Sequence, residues 1–148
     1  MKKVFLIAIS SLLIAACSKD DNKVEKDALV NTWELTYNEG FEADDNDREE
    51  WSGTSKELGI EETYTFKADG TGTEVYVEYD QSGNEIHNST NNFRWSFNDN
   101  NNTLSLKYSY DTEEYTVEKL TSSEMIVVQH EKDDDGYEYF DKYTFRKK

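Results

Sequence analysis

Acidic side chains are the groups this chain could most readily use for chemistry. It carries 32 Asp and Glu against 16 Lys and Arg, a net charge of -16. Glu131-Lys132-Asp133-Asp134-Asp135-Gly136 sets acids at its first, third and fifth positions and Gly at its sixth, like the opening of a calcium loop. The twelfth position, where such a loop needs a bidentate Glu, is Lys142, and Asp-Gly between two strands is equally a hairpin turn. Asp44-Asp45-Asn46-Asp47 is a second acidic cluster, without the Gly. His87 and His130 lie far apart in sequence and serve zinc poorly. Gln81-Ser82-Gly83 lacks the first glycine of a nucleophile elbow, and no Gly-rich phosphate loop precedes a helix. With so many carboxylates, a pair of them carries no information about acid–base catalysis. The expectation is no catalytic residue, no metal site, no cofactor and no enzyme activity. A surface this acidic also repels nucleic acid and anionic headgroups, which sets aside DNA and RNA as partners.

The lone cysteine, Cys17, has a chemistry of its own. Met1-Lys2-Lys3 is a basic start, Val4 to Ala16 is apolar but short for a bilayer span, and Ile14-Ala15-Ala16-Cys17 follows. This resembles the lipobox of bacterial lipoproteins. That resemblance implies cleavage before Cys17, diacylglyceryl attachment to its thiol, and anchoring by several acyl chains. Residues 1–16 are then a signal peptide, and residues 17–27 the acylated Cys and a polar tether. No other Cys remains for a disulfide, so the fold must hold without one. Ser18-Lys19-Asp20-Asp21 is similar to the export signal behind the acylated Cys of Bacteroidota surface lipoproteins. It implies an outer-membrane lipid anchor at the cell surface, with the periplasmic face as the alternative.

Residues 28–148 must supply the fold, and the 14 % aromatic content argues for a folded core. One helical turn fits between Val24 and Val30. Period-two alternation then marks eight strands: Thr32–Tyr37, Glu61–Lys67, Thr71–Tyr79, Asn92–Phe97, Thr103–Ser109, Glu113–Lys119, Met125–Gln129 and Tyr137–Phe145. Ala68-Asp69-Gly70, Asp80 to Asn84, Asn98 to Asn102 and Asp133 to Gly136 read as turns. Ile86 and His87 extend a strand or belong to a loop. Leu120 breaks parity and predicts a bulge or a bend. Asn38 to Gly59 reads as a long acidic loop holding Trp51, which either plugs a barrel end or makes contacts as a lid. Short connections force antiparallel neighbours. The expected fold is all-β, an eight-stranded antiparallel up-and-down barrel, with a two-sheet β-sandwich as the alternative.

Four stretches carry a family resemblance: Leu29 to Leu35, Tyr64 to Thr71, Phe93 to Phe97, and Tyr115 to Thr121 followed by Met125-Ile126-Val127. Together they resemble the lipocalin-like domain of Bacteroidota lipoproteins. The resemblance implies an eight-stranded barrel with an early Trp, here Trp33. The wider group commonly binds small apolar molecules; the usual Gly two residues before the Trp is Asn31 in this chain.

Aromatic and aliphatic residues share one strand face, with Trp33, Leu35 and Tyr37 in register. Trp33, Tyr64, Phe66, Phe93, Trp95, Tyr108 and Tyr115 are the candidate ligand-lining residues, and Trp51 the candidate loop contact. Filling the barrel is one use for them. An open cup with tyrosine hydroxyls orienting a small, largely apolar, neutral or cationic ligand is the other. The alternative function is a structural or protein-interaction lipoprotein with a filled barrel, acting through its acidic 38–59 loop; its protein partner is not specified by sequence.

Overall fold

The computed structural model describes residues 26–44 and 47–148. The expected signal peptide, Cys17 and most of the expected tether lie outside the described residues, as do Asp45 and Asn46 of the second acidic cluster. A single helical turn, α1 (Lys26–Leu29), leads into nine strands among the described residues: β1 (Thr32–Ala43), β2 (Arg48–Thr54), β3 (Ile60–Phe66), β4 (Thr71–Tyr79), β5 (Glu85–Asn98), β6 (Thr103–Lys107), β7 (Thr112–Leu120), β8 (Glu124–Lys132) and β9 (Glu138–Lys147). A second turn, α2 (Ser55–Leu58), joins β2 to β3. Neighbours pair antiparallel in the order β2-β1-β3-β4-β5-β6-β7-β8-β9, and β1 pairs again with β9. That ladder runs from Trp33 opposite Lys147 to Ala43 opposite Glu138 and closes an eight-stranded barrel of β1 and β3 to β9. Closure leaves no room for the sandwich and removes the open edges a sheet would otherwise expose.

The ninth strand corrects the long acidic loop expected at 38–59. β1 continues to Ala43 and returns as β2, with Tyr37 opposite Thr54 and Gly40 opposite Trp51. β1 meets β3 only over Thr32 to Glu34, so β2 takes over that side of β1 in the upper barrel. α2 then turns the chain into β3. Thr54 accepts from the Glu57 amide and Glu57 accepts from the Thr54 amide at 2.8 Å, a reciprocal capping box; Gly59 at φ 70 ends the turn.

A bulge corrects Tyr37. Leu35 sits opposite Phe145 and Tyr37 opposite Thr144, leaving Thr36 as the extra residue, its hydroxyl donating to the Thr144 carbonyl at 2.9 Å. Parity flips there: Asn38 points inward and is buried, while Tyr37 joins the outer face. The bulge expected near Leu120 falls between Val117 and Lys119, which returns Leu120 to the inner face. Ile86 and His87 belong to a β5 far longer than the alternation alone suggested.

The lower barrel is packed solid. α1 closes that end: Leu29 and Trp33 are fully buried, and the Trp33 indole donates to the Leu29 carbonyl at 3.0 Å. Asn31 stops the helix by donating from its amide to Ala28 O at 3.1 Å. Above it Phe66 meets Phe93 and Trp95 edge-on at 5.4 and 5.6 Å. Gly72 lies under the Phe93 ring, where any side chain would collide with it. Leu35, Leu104, Leu106, Val117, Met125, Val127 and Phe145 fill the rest. Burial of each such side chain is worth about 1.5–3 kcal/mol, which is how the fold holds with no disulfide.

Candidate functional site

The two ends of the barrel are chemically different. The β3–β4, β5–β6 and β7–β8 turns share the α1 end, and the β4–β5, β6–β7 and β8–β9 turns the other. Following inward register positions upward, β3 changes from Phe66 to Tyr64 to Glu62, and β4 from Gly72 to Glu74 to Tyr76. On β5 the inward sequence is Phe93, Asn91, Ser89, His87. β7 goes from Val117 to Tyr115 to Glu113, and β9 from Phe145 to Tyr143 to Asp141. A tyrosine tier therefore separates the apolar base from an acidic mouth. Among the described residues, no Lys or Arg occupies an inward register position in this upper half.

The mouth holds two carboxylate groups with opposite states of satisfaction. Asp141, buried, accepts from the Asn38 amide at 2.5 Å, the Trp51 indole at 3.2 Å and the Tyr139 hydroxyl at 2.8 Å. These neutral donors saturate it, and Trp51 also packs on Tyr139 at 6.1 Å. Gly40 makes room for this: a methyl there would meet Trp51 Cζ2 at 2.8 Å and Asp141 Oδ1 at 2.7 Å. Trp51 is thus a hydrogen-bonded part of the wall.

The second group is Glu62, Glu74 and Glu113. Glu62, 8 % exposed, accepts from the Tyr64 hydroxyl at 2.8 Å. That hydroxyl also lies 3.3 Å from Glu74 Oε1, while the Asn91 amide donates to Glu74 Oε2 at 3.1 Å. The Tyr115 hydroxyl donates to Glu113 at 2.7 Å. Burial, with Glu74 and Glu113 nearby, pushes the Glu62 carboxyl up to about 8, against the Tyr64 hydrogen bond that favours its anion. Burial raises Glu113 as well. Tyr108 faces the same group, near Tyr64, Glu74 and Glu113. It is 5 % exposed, and its buried hydroxyl makes no hydrogen bond of ordinary length, with the Tyr64 hydroxyl and the Glu74 carboxylate just beyond that reach. Burial and the adjacent carboxylates raise its pKa, so the hydroxyl stays protonated. Tyr110, 70 % exposed, stacks on Tyr108 at 5.5 Å and covers it from the solvent side.

The seven aromatic candidates fall into two sets. Trp33, Phe66, Phe93 and Trp95 build the base; the Trp95 indole donates to Lys67 O at 3.0 Å, and Lys26 stands over its ring at 5.4 Å. Tyr64, Tyr108 and Tyr115 form the tier under the acidic group. The void among Tyr64, Phe66, Tyr115, Tyr143 and their neighbours is about 20 Å³, room for one water. Sequence reasoning missed Glu62, Glu74, Glu113 and Asp141 as inward groups. The alternation of β3 and β7 does carry that signal, since Glu62 and Glu113 share parity with Tyr64 and Tyr115. The calcium-like run is a turn instead: Asp133 Oδ1 accepts the amides of Asp135 and Tyr137 at 3.0 Å, and Gly136 has φ 92. Asp80 does the same for Ser82 and Asn84 at 2.8 Å.

Solved structures similar to this chain include lobster apocrustacyanin A1, at 11 % identity and TM-score 0.49, covering 83 % of this chain and 62 % of that one. The chain thus spans about three-fifths of the crustacyanin's length. Japanin from Rhipicephalus appendiculatus, solved bound to cholesterol, is similar at 10 % identity and TM-score 0.48, over 80 % of this chain and 74 % of that one. Bovine odorant binding protein is similar at 13 % identity and TM-score 0.46, over 82 % and 74 %. Comparison with curated proteins finds no match. The family model of the lipocalin-like domain matches residues 29–127, from the last residue of α1 into β8. With that match and a closed eight-stranded antiparallel barrel, the chain belongs to the lipocalin-like domain family.

Proposed function

We propose that this protein is a lipid-anchored extracytoplasmic binding module that holds a small, largely apolar ligand in the mouth of its barrel. The carrying observation is the buried tier of tyrosines and carboxylates at the end opposite α1. A barrel interior that served packing alone would bury apolar side chains there, because burying unpaired polar groups costs stability. The filled base restricts the site to the mouth, with the tyrosine faces as its floor. The proposed role is binding rather than catalysis. The lipobox supports acylation at Cys17 and an outer-membrane anchor of the Bacteroidota type, at the cell surface by the Lys-acid-acid run behind it.

Native mass spectrometry of the domain, purified gently from its own host, tests the reading. A retained small molecule that leaves on denaturation is expected. A bare mass, together with no shift from a panel of small amphiphiles, would overturn it. The filled base favours a second reading, in which the acidic β1–β2 hairpin captures a protein partner. Exchanging its tip for a neutral turn would then abolish capture and leave the barrel folded.

A further inference from the structure

We infer that the mouth is a receptor for an organic ammonium, with Glu62, Glu74 and the Tyr108 hydroxyl as its head-group site. This rests on the reading that the mouth binds a small ligand and names that ligand's chemistry.

Three inward carboxylates crowd this corner, and their neighbours supply hydrogen bonds but no positive charge. The groups facing Glu62 are Tyr64, Tyr76, Tyr115, Glu74 and Glu113. Tyr64, Asn91 and Tyr115 are neutral donors. The Asp141 group at the same end shows what a self-sufficient carboxylate looks like, with three donors around it. The glutamate group lacks that, and the buried Tyr108 hydroxyl aimed into it makes no hydrogen bond of ordinary length, although Tyr64 and Glu74 stand close by. A buried hydroxyl left unpaired costs about 1–3 kcal/mol, so its retention calls for a partner in the liganded state.

A primary ammonium answers each deficiency. Its three N–H donors reach carboxylate and phenol oxygens together, and its charge offsets the excess of acids. The Tyr108 oxygen accepts one bond while its proton turns to Glu74. An apolar, preferably aromatic, body then lies against Tyr110, the exposed ring stacked over Tyr108. A bare divalent metal is a poorer occupant: among the described residues no three acidic, His or Cys side chains are grouped to ligate one.

The proposal carries a proton signature. In the free protein at neutral pH the Glu62 carboxyl holds its proton. An ammonium binds best to the ionised carboxylate, so one proton leaves Glu62 for the buffer as the ligand enters. Affinity therefore rises with pH through neutrality, until the ligand's own ammonium deprotonates.

The test is calorimetric titration of the folded domain with 2-phenylethylammonium chloride at pH 6.5, in two buffers of different ionisation enthalpy. Release of close to one proton per ligand is expected. Glu74→Gln should weaken binding about ten- to hundredfold, and Glu62→Gln should abolish the buffer dependence. Glu114→Gln, on the outer face, serves as the control. Equal binding of 2-phenylethanol would overturn the ammonium assignment and leave the ligand-binding reading standing. Equal stabilisation by ammonium or potassium chloride would also overturn it, as an adventitious ion only. Failure of every probe, with a bare native mass, would overturn both. Circular dichroism of each variant separates lost binding from lost fold.

Discussion

Tyr108 and Glu62 hold most of what is unusual here at the level of single residues. The buried hydroxyl of Tyr108 makes no hydrogen bond of ordinary length, so Tyr108→Phe should stabilise the free protein by about 1 kcal/mol. A urea titration checks this; a loss of similar size would mean that the hydroxyl is paired in the free state. Glu62 has a folded pKa of about 8 against an ordinary 4.5. Between those values the folded state holds a proton that the unfolded state has lost. Stability therefore falls as pH rises from about 4.5 to about 8 and levels off beyond, by a few kcal/mol at most. Glu62→Gln should flatten that slope and stabilise the domain at pH 8–9, as read from thermal midpoints across pH. An unchanged slope would locate the titrating group elsewhere. Sequence reading found Tyr64, Tyr108 and Tyr115 through their parity with the core aromatics. It passed over Glu62 and Glu113, of the same parity, because a charged residue at a strand end is ordinarily solvated. Only closure of the barrel shows that these ends converge.

The β1–β2 hairpin is the element that the sequence concealed. Its alternation is weak because both faces are partly wet, and beyond Tyr37 only Phe41 and Trp51 are large apolar side chains. The Thr36 bulge also shifts parity within β1, so the Trp33, Leu35, Tyr37 series cannot be extended by counting. Elsewhere the period held: β3, β4, β6 and β7 lie within about two residues of the bounds their alternation marks. The hairpin is fastened by Asp141, which Asn38 and Trp51 reach from its two strands. Trp51→Phe removes one of those donors and should cost about 1–2 kcal/mol. Hydrogen exchange should then quicken in β2 before β3 to β8. Uniform exchange across the barrel would contradict this role for Trp51.

The whole molecule has a direction. Eight residues lie between Cys17 and Lys26, a stretch of nine steps that spans at most about 30 Å. If Cys17 is acylated as proposed, α1 and the packed base would lie nearest the bilayer, and the acidic mouth would face away. A fluorophore at Asn100→Cys, in a base-end turn, should be quenched by lipid-borne quenchers more than one at Gln81→Cys, in a mouth-end turn. The reverse order would contradict the orientation. At this scale the barrel was legible in the number of strands and their tight turns. Its polarity was not, because filled base and polar mouth differ only by which end of each strand carries the acids. The division between base and mouth is tested most directly by amide chemical-shift mapping during titration with 2-phenylethylammonium. Shifts are expected to cluster at Glu62, Glu74, Asn91, Tyr110 and Glu113, with Leu29, Trp33 and the Asp69 and Asn101 turns unmoved. Shifts concentrated around α1 and the base, or none anywhere, would contradict it.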